Sequence, residues 1–242
     1  MSLYFPAYVH ACFTGGQLVL LNVRDDEYIS LGAAQTRAVA PHVIGWPAPA
    51  DIEREQRPLS PTRVGRLLEQ LTAKGFVVDT PTGEREAVVE VPTAQSDLVR
   101  ERPGHRPEVC LADAQRLLVA SASAARWLQF RSLESTLQHV RDLKHAHQAH
   151  LARGVASPPI EDVRKWVAAF VRLRPLLFGA RDNCLFDSLA LIEYLEPLHV
   201  SPTWVIGVRV SPFVAHCWLQ DGEAVFNDLP GHVRRFTPIL VI

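Results

Sequence analysis

The sequence predicts an α+β protein in which a small N-terminal domain, a linker and a larger C-terminal domain follow one another. Within residues 1–80, three strand-like runs precede two helical segments. Residues 110–242 have helical segments first and an antiparallel hairpin after them, which is typical of α+β domains. Residues 81–109 are rich in proline and charge and show no core-forming period, so we expect a linker there.

The first domain is predicted to be a compact winged-helix-like module. Residues 7–31 contain its three strands, because Thr14-Gly15-Gly16 is a hairpin signal between two apolar runs. One helical segment follows directly and continues through Val43. A second, amphipathic helix begins at Ser60-Pro61, since proline is favoured in the first helical turn, and ends at Lys74-Gly75.

Composition argues against several classes of protein. A net charge of −1 provides no basic footprint for nucleic acid. The N-terminus lacks the pattern of a signal peptide, and no apolar run is long enough to span a membrane. The four cysteines have no zinc-type spacing, and no glycine-rich nucleotide motif occurs. We therefore expect a cytoplasmic protein with reduced thiols that binds no metal, cofactor or nucleic acid.

Four helices are predicted in the second domain. The first three are Ala112–Phe130, Leu133–His150 and Ile160–Leu173. The fourth begins at Cys184, after Asp182 or Asn183 as the N-cap, and its leucines recur at helical spacing. A thiol in the first helical turn faces unpaired backbone N–H groups and the positive end of the helix dipole. Both favour the nucleophilic thiolate.

Strand-like runs follow at residues 203–208, 214–219 and 224–228, with His216 in the second and Asp228 at the end of the third. A cysteine on a helix, then a histidine and an acid on adjacent strands, is the order that a nucleophile, a base and an orienting group take in a cysteine hydrolase. Taken alone, a helical cysteine is more often a small buried hydrophobe, and a strand histidine is more often structural. The ordered set favours a catalytic site.

The hairpin between the last two strands constrains this hypothesis. A plain two-residue loop would pair Gln220 with Glu223. His216 and Asp228 would then point to opposite faces of the sheet. A three-residue loop would pair Leu219 with Glu223, and the two side chains would share a face. A Cys-His-Asp site therefore requires an odd-length loop or a bulge.

Four motifs from about residue 180 onward carry a family resemblance. They are Cys184-Leu185-x-x-Ser188-Leu189-Ala190-Leu191, Ile206-Gly207-Val208, Pro212-Phe213-x-Ala215-His216-x-Trp218 and Asn227-Asp228. Together they resemble the leader peptidase of lasso-peptide biosynthesis, the transglutaminase-like B protein. The resemblance implies a papain-like or transglutaminase-like cysteine peptidase domain across residues 110–242. It implies Cys184 as the nucleophile, His216 as general base and acid, and Asp228 as the residue that orients His216.

Two positions depart from the family's pattern. Cys217 stands where the family commonly has alanine, which is a small-for-small change. Phe186-Asp187 stands where a pair resembling Pro-Arg is common, and this change is expected to alter substrate contacts beside the nucleophile.

The resemblance also implies that the N-terminal domain is a leader-binding RiPP recognition element. In that type of domain the leader peptide adds as a strand beside the third β-strand and packs against the last helix. Backbone hydrogen bonds then supply affinity, and pockets for alternate side chains supply specificity. Carried onto this chain, the leader-binding residues are Glu27, Tyr28, Ile29, Ser30, Leu31, Arg63 and Leu67.

The predicted function is removal of the leader from a ribosomally made lasso-peptide precursor. The resemblance implies two partners, the leader segment of the precursor and a separate ATP-dependent cyclase, the C protein, which uses the freed α-amine of the core to form the macrolactam. Two alternatives stay open. An amine instead of water would make the chain an acyl transferase of transglutaminase type, which acceptor-amine incorporation would reveal. A non-catalytic precursor-binding protein is disfavoured by the intact Cys184, His216 and Asp228.

Overall fold

The computed structural model describes residues 2–47, 58–83, 90–99, 109–178 and 183–242. The chain divides into two compact units. Unit 1 contains Met1–Val88, Val208–Val214 and Thr237–Leu240. Unit 2 contains Val89–Gly207, Ala215–Phe236 and Val241–Ile242. The three predicted catalytic residues, Cys184, His216 and Asp228, therefore all belong to unit 2.

The N-terminal part of the chain folds around a three-stranded antiparallel sheet. In chain order its elements are β1 (Leu3–Tyr4), β2 (Val9–Thr14), β3 (Gln17–Asn22), β4 (Glu27–Gly32), α1 (Ala33–Val39), β5 (Val43–Ile44) and α2 (Pro61–Ala73). The sheet has the order β2-β3-β4, so β4 lies at an edge. Thr14 pairs with Gln17 around Gly15-Gly16, and both glycines have positive φ, as a tight hairpin turn requires. The predicted hairpin is confirmed.

The first helix ends earlier than predicted. A helix through Val43 is wrong, because α1 stops at Val39 and a 3-10 turn follows over Ala40–His42. Pro41 lies in that turn, and a proline cannot donate the backbone hydrogen bond that would continue the helix. Val43 instead pairs in parallel with Leu3.

An apolar core holds these elements together. Its fully buried members include Val9, Leu18, Leu20 and Phe76, and α2 adds Leu71. The helix α2 is amphipathic as predicted, since Leu67, Leu68 and Leu71 pack on the core whereas its polar residues are exposed.

The C-terminal part of the chain contains four long helices and a five-stranded sheet. In chain order its elements are β6 (Ser96–Asp97), α3 (Leu111–Phe130), α4 (Leu133–Ala152), α5 (Ile160–Leu173), α6 (Cys184–Leu195), β7 (Thr203–Val210), β8 (Phe213–Asp221), β9 (Ala224–Val225), α7 (Pro230–Val233) and β10 (Thr237–Val241). The sheet order is β10-β7-β8-β9-β6. All four predicted helices are present at bounds within two residues of the prediction. β6 comes from the predicted linker and pairs in parallel with β9.

The helix α6 lies at the centre of unit 2. Eight of its residues are buried: Asp187, Ser188, Leu189, Ala190, Leu191, Ile192, Tyr194 and Leu195. Both α3 and α5 pack against it, and the buried Tyr194 hydroxyl donates a hydrogen bond to Asp113 of α3. Because close-packed surroundings resist displacement, α6 gives its first residue, Cys184, a defined position.

Within the described residues, no helix combines the length and the apolar character needed to cross a membrane.

Candidate active site

Cys184 is the first residue of α6, as the sequence predicts. Asn183 takes the N-cap position without a side-chain capping hydrogen bond, and Asp182, the other predicted cap, lies outside the described residues. Cys184 is partly exposed in a cleft of about 450 Å³. The cleft is lined by Arg174, Cys184, Asp187, His216, Cys217, Asn227, Asp228 and His232. All three predicted catalytic residues therefore meet in one cleft.

His216 on β8 contacts both of the other predicted catalytic residues. Its Nε2 atom lies 2.5 Å from Asp228 Oδ2. This pairing leaves Nδ1 for Cys184, with which the His216 side chain also forms a hydrogen bond. The order sulfur, imidazole, carboxylate is the arrangement in which a base activates a nucleophile and a third group orients the base.

The hairpin that joins His216 to Asp228 differs from the prediction. Of the two solutions that we expected, the odd-length loop does not occur, because Gln220 pairs with Val225 and leaves the two-residue loop Gly222-Glu223. The strand β9 then ends at Val225, and the backbone bends over the next three residues. Since Asp228 lies beyond the strand, the alternation of strand faces does not govern its direction. The bend takes the place of the bulge that we expected.

Asn227 stabilises this bend. Its side-chain Nδ2 donates to Asp187 Oδ2 at 3.0 Å and to Ser188 Oγ at 3.1 Å, and both acceptors lie on α6. Its side-chain Oδ1 accepts the backbone N–H of Leu219 on β8 at 2.9 Å. Because Asp228 is the next residue, these three hydrogen bonds hold its backbone against both the helix and the strand.

A buried ion pair lies beside the thiol. One guanidinium nitrogen of Arg174 donates to both carboxylate oxygens of Asp187, at 2.6 and 2.7 Å. The two side chains are only 13% and 4% exposed. Burial raises the pKa of Asp187, and the charge of Arg174 opposes that rise. Arg174 begins the 3-10 turn after α5, so the pair connects the end of α5 to the first turn of α6.

The surroundings favour a charged pair at neutral pH. The pKa of Cys184 is lowered to about 4, chiefly by the hydrogen bond from the Cys217 thiol. Partial burial opposes this shift, and the hydrogen bond and charge of His216 reinforce it. Burial lowers the pKa of His216, but its hydrogen bonds to Asp228 and Cys184 outweigh burial and raise that pKa to about 9. Cys184 is therefore a thiolate and His216 an imidazolium at pH 7.

Asp228 is held by more than one donor. Its Oδ2 atom also lies 2.7 Å from His232 Nδ1, and its Oδ1 atom accepts the backbone N–H of Leu229 at 2.6 Å. Burial raises the pKa of Asp228, but the hydrogen bonds from His216 and His232 outweigh burial and hold that pKa below its ordinary value. Asp228 is therefore a carboxylate that keeps its orientation.

Potential metal-ligand atoms of His216, Asp228 and His232 lie within 4.8 Å of one another. The two histidine nitrogens lie 2.5 and 2.7 Å from the same carboxylate oxygen. Ligands about 2.0–2.2 Å from a tetrahedral zinc ion stand roughly 3.3 Å apart, so these contacts are too short for shared metal ligation. Both distances are those of hydrogen bonds from the two histidines to one acceptor, Asp228 Oδ2.

Sequence reasoning assigns no role to three residues of the cleft, Arg174, Asn227 and His232. Asn227 has a local signal, because it adjoins Asp228 in the motif, and His232 follows Asp228 by four residues. Arg174 has no local signal at all, since its partner Asp187 lies thirteen residues further along the chain.

The predicted leader-binding residues lie on β4 and α2 of unit 1. Ser30 and Arg63 are exposed, whereas Leu31 is 4% exposed and belongs to the apolar core. Glu27 forms an ion pair with Lys74 at the end of α2. The remaining three are partly buried: Tyr28, whose ring stacks edge-on at 5.6 Å against Phe213 of the same unit, Ile29 and Leu67. Only part of the predicted set therefore presents a side chain to solvent.

A thiolate beside an imidazolium and a carboxylate defines the chemistry of thiol hydrolases and acyl transferases. Residues 118–241, just over half of the chain, match the Transglutaminase-like superfamily (Transglut_core3), and the chain belongs to that superfamily. It is also similar to the Microcin J25-processing protein McjB of Escherichia coli, with 40% identity over 50 residues. That match covers 21% of this chain and 24% of the relative. No solved structure matches significantly.

Proposed function

We propose that this chain is a cysteine peptidase that removes the leader from a ribosomally made lasso-peptide precursor. The observation that carries the proposal is the hydrogen-bonded series from Cys184 through His216 to Asp228, which opens on a cleft in a transglutaminase-like chain. The relative's name describes it as a processing protein for a microcin, and this supports a peptide as the substrate. The C-terminal motifs described above support the lasso class.

The ionisation of the site supports a two-step hydrolysis. The Cys184 thiolate attacks the scissile carbonyl, and the His216 imidazolium donates its proton to the leaving amine, which is the new α-amine of the core peptide. The resulting imidazole then takes a proton from water, which attacks the thioester and releases the leader. Asp228 keeps the imidazole oriented and stabilises its charged form.

The start of α6 supports a place for the oxyanion. The first N–H groups of a helix lack partners within the helix, and the Asn183 side chain does not cap them. A carbonyl attacked by Cys184 would place its oxygen near these donors. A single donor of this kind typically contributes about 2.7–4 kcal/mol to the stabilisation of the transition state.

The first experiment is mass spectrometry of a lasso-peptide precursor incubated with the wild type, with Cys184→Ala and with Cys110→Ala. Cys110 is an exposed cysteine outside the cleft, so Cys110→Ala is the matched control. We expect cleavage between leader and core by the wild type and the control alone. Cleavage by Cys184→Ala would exclude the proposed nucleophile. A product that carries an added primary amine would instead identify an acyl transferase.

We propose that the leader binds unit 1 along β4, with α2 beside it. Support comes from the edge position of β4 and from the exposed Ser30 and Arg63. The freed core would pass to a separate ATP-dependent cyclase. A leader peptide N-methylated at alternate backbone positions tests strand addition, because each methyl group removes a donor. Equal affinity of methylated and unmethylated peptides would contradict this mode of binding.

A further inference from the structure

A second thiol lies directly against the proposed nucleophile. Cys184 begins α6, Cys217 lies on β8, and both are free thiols. The Cys184 sulfur accepts hydrogen bonds from both the thiol and the backbone N–H of Cys217. A sulfur atom that reaches the backbone of its neighbour as well as its thiol is close to the whole residue, not only to the tip of its side chain.

The helix and the strand are also held together at this point. Ser188 follows Cys184 by one helical turn, so the two side chains lie on the same face of α6. The Ser188 hydroxyl donates to the backbone carbonyl of Cys217 at 3.4 Å. The contact between the sulfur atoms therefore belongs to a packed junction between α6 and β8.

The two thiols differ in their access to solvent. Both residues line the cleft, but Cys184 is partly exposed, whereas Cys217 is only 3% exposed. An oxidant that enters the cleft consequently meets Cys184 first, and oxidation follows thiolate character and exposure. Cys217 is placed to react only with a group that forms on Cys184.

We propose that Cys184 and Cys217 form a reversible oxidation site, at which a hydroperoxide oxidises Cys184 to a sulfenic acid and Cys217 then closes a Cys184–Cys217 disulfide. This inference needs only the thiol pair and does not depend on the proposed peptidase function. Its consequence for activity does rest on the proposed function: the disulfide occupies the sulfur that attacks the substrate there, so the oxidised protein is inactive until a dithiol reduces it.

Each step balances. The Cys184 thiolate attacks one peroxide oxygen, the O–O bond breaks, and the sulfur loses two electrons while the released oxygen leaves as hydroxide or alkoxide. The Cys217 sulfur then attacks the Cys184 sulfur, the S–O bond breaks, and the hydroxyl group leaves as water with the Cys217 proton. Overall, two thiols and one hydroperoxide give one disulfide, one water and one water or alcohol.

Oxidation of Cys184 to the sulfenic acid makes the following attack by Cys217 easier. Burial holds the pKa of Cys217 well above its ordinary value, and the negative charge of Cys184 raises it further. That charge disappears when Cys184 becomes a neutral sulfenic acid. Loss of the proton from Cys217 is then easier than in the reduced protein, and a thiolate attacks faster than a thiol.

The other two cysteines serve as internal controls. Cys12 is buried on β2 in unit 1, and Cys110 donates a hydrogen bond from its thiol to Asp113 at 3.1 Å. Neither lines the cleft. Each of the four cysteines lies in a different tryptic peptide, so a map of the digested protein identifies every pairing.

The experiment treats the full chain with hydrogen peroxide, blocks free thiols with iodoacetamide and maps the tryptic peptides by mass spectrometry. We expect the Cys184 and Cys217 peptides to appear joined, with the loss of two hydrogen atoms. Alkylation of Cys184 should fall at least about tenfold and return after dithiothreitol. Cys110→Ala should give the same result, because Cys110 takes no part.

A Cys217→Ala variant provides the second arm. Without the partner thiol, Cys184 should proceed to the sulfinic acid, which gains two oxygen atoms and is not restored by dithiothreitol. If wild-type Cys184 also accumulates as sulfinic acid, or if the joined peptide contains Cys12 or Cys110, the proposal is wrong. The wild-type map decides the question even if Cys217→Ala does not fold.

Discussion

Among the described residues, the two units differ in whether they bury charged side chains. The buried polar residues of unit 1, Asn22 and Thr36, are uncharged, whereas unit 2 buries Asp113 and Asp187. In unit 2, the cleft encloses the Arg174–Asp187 ion pair and the hydrogen bonds of Asn227. In unit 1, the apolar core is covered by a surface on which charges pair in solvent. Its ion pair between Lys74 and Glu27 has side chains that are 52% and 36% exposed.

This difference is consistent with the two tasks proposed above, carbonyl attack in unit 2 and leader binding in unit 1. A site that attacks a carbonyl must hold its reacting atoms within a few tenths of an ångström, and buried hydrogen bonds with few alternatives achieve this. A surface that pairs with an extended peptide relies on the backbone of an edge strand, which any sequence supplies. We therefore expect single substitutions of charged residues to be costly in the cleft of unit 2 and mild on the surface of unit 1.

The largest expected effect is that of Asp228→Asn. The amide cannot stabilise the imidazolium of His216, so we expect kcat for precursor cleavage to fall by about 10⁴-fold. The alkaline limb of the pH–rate profile should move to lower pH, because the Asp228 hydrogen bond is what chiefly raises the pKa of His216. His232→Ala is the control, since His232 contacts the same carboxylate from a more exposed position. If kcat falls as far in His232→Ala as in Asp228→Asn, then Asp228 is not the residue that specifically orients His216.

The next effect concerns the pH dependence of Cys184 alkylation by iodoacetamide. The pKa values of about 4 for Cys184 and about 9 for His216 keep the ion pair intact between those limits. Below about pH 4 the Cys184 thiolate takes up a proton, and above about pH 9 the His216 imidazolium loses its proton. We expect a nearly constant rate from about pH 5 to pH 8, whereas an ordinary thiol with a pKa near 8.5 accelerates by about 10³-fold over that range. If the alkylation rate of wild-type Cys184 instead rises with pH like that of an ordinary thiol, the Cys184–His216 ion pair is refuted.

The third effect compares one ion pair from each unit. Arg174→Ala leaves the Asp187 carboxylate buried without its cation, so we expect the free energy of unfolding to fall by about 3–5 kcal/mol. Lys74→Ala removes an exposed pair and should cost about 0–1 kcal/mol. Urea unfolding of both variants measures the difference. If both variants lose the same free energy of unfolding, the buried ion pair of unit 2 contributes no more to stability than the exposed ion pair of unit 1.

The smallest effect is expected on leader binding. Arg63→Glu reverses an exposed charge on α2, and we expect the Kd of a fluorescent leader peptide to rise about three- to tenfold. Arg66→Glu makes the same change of charge at an exposed position one turn along, outside the predicted leader-binding set, and is the matched control. If both variants bind alike, Arg63 has no specific part in recognition.

Local patterns in the sequence were sufficient for most secondary-structure elements. The spacing of leucines and the capping residues predicted a helix that begins at Cys184, and this is where α6 begins. The glycine pair Gly15-Gly16 predicted the first hairpin. The error in the first helix came from a single residue that interrupts the pattern, Pro41. The hairpin after His216 has a two-residue turn at Gly222-Glu223, so the expected odd-length loop is replaced by the bend that follows β9.

The sequence by itself determined the helix that presents the thiol and the strand that bears His216, because helical and strand periodicities are properties of neighbouring residues. Only the tertiary structure decided how Asp228 reaches His216, since this depends on where β9 ends and on hydrogen bonds from Asn227 to a different helix. The same is true of the Arg174–Asp187 pair and of the contact between Cys184 and Cys217. Contacts between residues far apart in the chain depend on how α6 packs against its neighbours, and no local period encodes that packing.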